Sequence, residues 1–179
     1  LPLIGDFNVY NSLAAIAAAA ALGLNLRESI NHLKEAPQVP AFVALLRGVN
    51  IGKARRVPMV EFRSTLTGLG YTSVATLLNS GNAVFKSKVR SGSACATAIT
   101  RALADRFGFD VPVVVKSVQE LSAIAAGNKL RFTDADHSRL LVAFMQDAAQ
   151  LASLRGLESL AAPPEQFAIG NHGAYLLCA

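Results

Sequence analysis

Asn79-Ser80-Gly81-Asn82 is a turn signal set between two strand-like runs, Val74 to Leu78 and Ala83 to Lys88. Glycine and asparagine tolerate the left-handed backbone that tight turns need, and short runs rich in β-branched and aliphatic residues suit strands. This part of the chain is therefore expected to form an antiparallel hairpin. Gly170-Asn171-His172-Gly173 repeats the arrangement between Gln166 to Ile169 and Ala174 to Leu177. A chain with two such signals has to build antiparallel sheet twice.

The elements around the first hairpin complete a unit. Ala41 to Leu46 (AFVALL) is continuous and apolar, as a central buried strand would be. Pro58 stands at a helix start, and Val60, Phe62, Leu66 and Leu69 mark an apolar face that ends near Gly68 and Gly70. Ala94 to Phe107 reads as a second helix stopped by Gly108, and Val111 to Val115 as a fourth strand. The order βαββαβ with one tight hairpin is that of a ferredoxin-like sandwich. Further on, Val118 to Ala126 is expected to be a helix, Gly127 to Ser138 a polar loop, Leu140 to Met145 a strand and Ala148 to Leu160 a helix before the second hairpin. The fold class is α+β: a ferredoxin-like βαββαβ unit over 41–117, then a second, incomplete ferredoxin-like repeat over 118–179 that lacks its last helix and strand. A strand left at its edge would offer a route to self-association.

Residues 1–40 read differently. Asn8 and Asn11 precede an alanine-rich run ending at Gly23, and Asn25 with Glu28 has capping-box spacing before Leu26, Ile30 and Leu33. The segment is expected to be a helical hairpin with a thin, small-residue interface. The words LIGDFNVYNSLAAIAAAAALGL and LKEAPQVP resemble the Mur ligases of peptidoglycan synthesis. That resemblance implies the close of an ATP-binding domain, with an asparagine at Asn8 or Asn11 near the adenine. The catalytic apparatus of such ligases has no counterpart here, since the chain holds no G-x-x-x-x-G-K-[ST] loop. The segment is read as a fused Mur-ligase-like fragment.

Charge singles out one loop. Residues 41–90 hold eight cations and one anion (+7), whereas residues 1–40 and 91–179 each come to −1, so the whole excess of +5 lies in one block. Half of those eight cations fall in Arg47 to Arg56, RGVNIGKARR, directly after the first strand. Glycines free a backbone to turn its N–H groups toward an anion, and neighbouring guanidinium groups favour one. In the expected topology the first and third strands are adjacent and antiparallel. The loop then meets the NSGN turn at one end of the sheet, giving a candidate ligand site of Arg47, Gly48, Asn50, Gly52, Lys53, Arg55, Arg56, Asn79, Ser80 and Asn82. GVNIGKA is not a nucleotide phosphate loop: it has one residue too few between its glycines, and Ala54 replaces the magnesium-binding hydroxyl.

The words FVALLRGVNIG, VPM and LNSGNAVF, in that order, resemble the bacterial domain-of-unknown-function family 1697 from about Pro40 onward. The resemblance implies an α+β fold of two ferredoxin-like repeats and no established activity. It departs at Gly52-Lys53, where the family usually has two glycines.

Other chemistry has little support. Cys95 and Cys178 lack metal or redox spacing, His32, His137 and His172 lie in separate elements, and Ser80 has no nucleophile elbow around it. No cofactor or metal is expected. The longest apolar run, Leu13 to Leu24, is too short to span a bilayer, so a cytoplasmic protein without a membrane partner is expected. Three readings stay open. The chain is an anion-binding module for a phosphate-bearing small molecule or nucleic acid, or an enzyme of unknown reaction using the same loop, or an inactive hybrid.

Overall fold

The computed structural model describes residues 39–52, 55–130 and 139–179. The expected amino-terminal helical hairpin, Lys53, His137 and most of the polar loop before residue 139 lie outside them. The described residues form two antiparallel sheets and four α-helices, and the chain divides into two compact units between Ser117 and Val118.

The first unit runs β1 (Ala41–Leu46), α1 (Met59–Gly68), β2 (Thr72–Leu77), β3 (Asn82–Lys86), α2 (Gly92–Phe107) and β4 (Val113–Ser117), with sheet order β2-β3-β1-β4. β1 pairs antiparallel with both β3 and β4, and every β1 residue after Ala41 is buried. Its unbroken apolar run follows from that central place. Phe42, Ala44 and Leu46 share a face with Ala83, Phe85, Val113 and Val115, and α1 and α2 cover it. α1 contributes Phe62 and Leu66, both fully buried, and α2 contributes Cys95, Ala96, Ile99 and Leu103. Burial of each large side chain stabilises the unit by about 1.5–3 kcal/mol. Phe85 stacks between Phe42 and Tyr71, at ring separations of 5.7 and 4.5 Å.

Several details depart from the sequence reading for physical reasons. Val60 is 75% exposed, because two residues on a helix are about 200° apart and Val60 cannot share the face of Phe62. β4 begins at Val113 rather than Val111, since Pro112 has no N–H to give the ladder; its carbonyl instead accepts from Arg47 N at 2.9 Å. β2 starts earlier, at Thr72, across an irregularity in register before Ala75 that holds Ser73 at φ 51°. α2 starts at Gly92, with the Ser91 hydroxyl accepting from Ala94 N at 3.2 Å, and ends on left-handed Gly108.

The second unit runs α3 (Val118–Ala126), β5 (Leu140–Ala143), α4 (Ala148–Ala152), a 3-10 helix (Ser153–Leu160), β6 (Gln166–Ile169) and β7 (Ala174–Leu177), with sheet order β5-β7-β6. Where one long helix is expected, α4 stops after five residues. The Ser153 and Ser159 hydroxyls bond to the carbonyls of Gln150 and Gly156, which competes with regular helix there. Tyr175 is buried, and its hydroxyl donates to the Ile124 carbonyl, tying β7 to α3.

Candidate functional site

The candidate site lies where β1 leaves the first sheet. Leu45 stands opposite Asn82, and Leu46 N donates to Gly81 O at 2.8 Å, so the loop after β1 and the turn before β3 lie side by side. Arg47 extends from the same end and its side chain is exposed.

Asn50 builds the loop. Its backbone is left-handed (φ 59°) and its N–H donates to Arg55 O at 3.1 Å. Its side-chain oxygen accepts from Val57 N at 2.8 Å, and its amide nitrogen donates to Val57 O at 2.9 Å and to Asn79 O at 2.6 Å. The side chain thus pairs with Val57 as a neighbouring strand would and clamps the loop onto the turn. With both amide hydrogens engaged, Asn50 has none left to give a ligand. Gly48, Gly52 and Arg55 are also left-handed, at φ 71°, 60° and 52°. Left-handed residues next to right-handed ones are the backbone pattern from which anion-binding concavities of N–H groups are built.

Gly81 is the close contact of the turn. A Cβ there would lie 2.7 Å from Leu46 Cβ and 2.8 Å from Val49 Cγ2, and its φ is 85°. No other residue fits. Ser80 is half-buried, and its Oγ accepts from Asn82 Nδ2 at 2.6 Å, which leaves the hydroxyl proton to be donated. Asn82 is fully buried, and its Oδ1 has no hydrogen-bond partner.

The site residues thus separate into two groups. Arg47, Arg55, Arg56, Gly52 and Asn79 are exposed, and Ser80 is half-exposed. Asn50, Gly81 and Asn82 hold the shape from within. Two features went unread in the sequence: the Asn50–Val57 pairing, whose signal was an asparagine between two glycines, and the exposure of Ile51 and Leu78 beside it. Among the described residues no group of three His, Cys, Asp or Glu side chains is placed to hold a metal ion. No described helix is long and apolar enough to cross a membrane.

A family model described as "Protein of unknown function (DUF1697)" matches residues 39–175. The chain belongs to that family. This DUF1697 member is similar to the solved structure of the conserved bacterial protein SP0830 from Streptococcus pneumoniae, at 25% identity and a TM-score of 0.65, covering 76% of each chain. A 46-residue segment is 50% identical to a UDP-N-acetylmuramoyl-L-alanyl-D-glutamate–2,6-diaminopimelate ligase of Thermosynechococcus vestitus. That segment is 26% of this chain, and the match spans 9% of the ligase's length.

Proposed function

We propose that this DUF1697 member is an anion-binding protein whose first unit, a ferredoxin-like βαββαβ domain over 41–117, receives a phosphate-bearing ligand at the loop 47–56 and the turn 79–82. Residues 118–179 form a second domain of related element order, and residues 1–40 a separate Mur-ligase-like segment. The observation that carries the reading is the Asn50 clamp: one side chain both shapes the basic loop, through Val57, and holds it on the turn, through Asn79. Exposed Arg47, Arg55 and Arg56 belong to the same loop, and the Ser80 hydroxyl, already accepting from Asn82, is free to donate.

Binding is favoured over catalysis by the same bond. The neighbour of Ser80 is an amide, which cannot take a proton, so the hydroxyl lacks the activation a nucleophile needs. The test is titration of the full chain with inorganic phosphate and a mononucleotide at low and moderate salt. Affinity is expected to fall with salt, and Arg55→Ala with Arg56→Ala to weaken binding about tenfold. An unchanged dissociation constant in the double variant would exclude the loop as the site.

A further inference from the structure

Two exposed aliphatic side chains interrupt the polar surface of this loop and turn. Ile51 is 42% exposed and Leu78 62% exposed. They are the chain neighbours of the two residues joined by the Asn50–Asn79 hydrogen bond, which places them on the same loop and turn as the arginines. Leu78 is the stronger case. It sits in the left-handed region at φ 54°, where a leucine costs about 1 kcal/mol and an asparagine or glycine costs little. An exposed leucine in a strained backbone contributes little to the fold, and strain of this kind clusters at ligand-contacting positions, which makes Leu78 a candidate for one.

Basic groups alone would serve inorganic phosphate or a phosphodiester backbone. Aliphatic groups among them add nothing to either, and they are not the flat aromatic surfaces on which bases stack. They do fit a ligand whose anionic head continues into an apolar body. We propose that the ligand is an amphiphilic phosphate monoester or diester, its head on Arg47, Arg55 and Arg56 and its alkyl portion over Ile51 and Leu78. This rests on the anion-binding reading above and narrows it to one ligand class. Lipid headgroups and free alkyl phosphates share that chemistry.

Alkyl phosphates of increasing length, from methyl to octyl and kept below their micellar concentrations, test the proposal by titration calorimetry on the full chain. The wild type is expected to bind octyl phosphate at least tenfold more tightly than methyl phosphate, a gain that needs burial of only about two methylenes. Leu78→Asn keeps the left-handed turn without strain and removes the apolar contact. It is expected to retain methyl phosphate affinity and to lose most of the chain-length gain, as is Ile51→Asn. Vesicles of phosphatidylcholine with and without phosphatidic acid distinguish the source. Binding to the anionic vesicles that Leu78→Asn abolishes supports the lipid form, and binding of soluble alkyl phosphates without vesicle binding supports the free form. Methyl and octyl phosphate binding equally well overturns the amphiphile but leaves the anion site standing. Binding of neither overturns both, and a full chain-length gain in Leu78→Asn removes these side chains from the site.

Discussion

At the scale of single residues, this end of the fold depends on Asn50 and Gly81. Asn50→Ala removes three hydrogen bonds, strands the N–H of fully buried Val57 and leaves a Cβ-bearing residue at φ 59°. The expected loss is about 2–3 kcal/mol, seen as a lower urea midpoint for the full chain. Asn50→Gly loses the same bonds but not the backbone comfort, so it should be less damaging by about 1 kcal/mol. Equal losses in the two variants would show that the left-handed backbone contributes nothing. Gly81→Ala meets two carbon atoms inside 3 Å and takes on a strained φ, for an expected loss of about 3 kcal/mol. Tyr71 sets a further expectation. Burial and the neighbouring Cys95 thiol push its hydroxyl well above the usual tyrosine range, so the folded state holds the proton more tightly than the unfolded chain does. Stability from this difference is complete below about pH 10 and is lost as pH rises beyond it. Tyr71→Phe keeps the stack on Phe85 and should show a shallower alkaline decline in unfolding free energy than the wild type. Burial also raises Tyr175, so part of the decline should remain in the variant. Parallel declines would rule Tyr71 out as a source.

At the scale of elements, what could be read in advance was whatever depends on local pattern. The apolar run of β1, the turn before β3, the glycine stop of α2 and the bounds of α3, β6 and β7 follow from residues adjacent in sequence. The antiparallel meeting of β1 and β3 then brought loop and turn together. Illegible features depended on contacts across the sheet or on a single donor. Nothing in Thr72-Ser73-Val74 announces the register irregularity of β2, and the shift of β4 past Pro112 shows only once Arg47 N is seen to need that carbonyl. The exposure of Val60 follows from helical spacing alone, since it stands two residues from Phe62. In the candidate site, residue types pointed to charge and to turns. They could not say that Asn50 would be consumed by Val57, or that Leu78 would be left out in water.

At the scale of the whole molecule, the question is whether a net charge of +5 or its placement governs binding of anions. The block 41–90 alone carries +7 and the remainder is slightly acidic, so the field is concentrated on the unit that bears the loop. Two triple variants separate the possibilities, because each removes three exposed cations and leaves the same net charge. One replaces Arg47, Arg55 and Arg56 with alanine, and the other replaces Arg101, Lys129 and Arg155. None of the six makes a side-chain hydrogen bond among the described residues, so both variants should fold as the wild type does. If placement governs, the first variant should elute from heparin at markedly lower salt than the second, and lose affinity for phosphate, while the second stays near the wild type in phosphate binding. Elution at the same salt for both variants, with equal phosphate affinities, would mean that the chain attracts anions through its overall charge and that the loop has no special part in it.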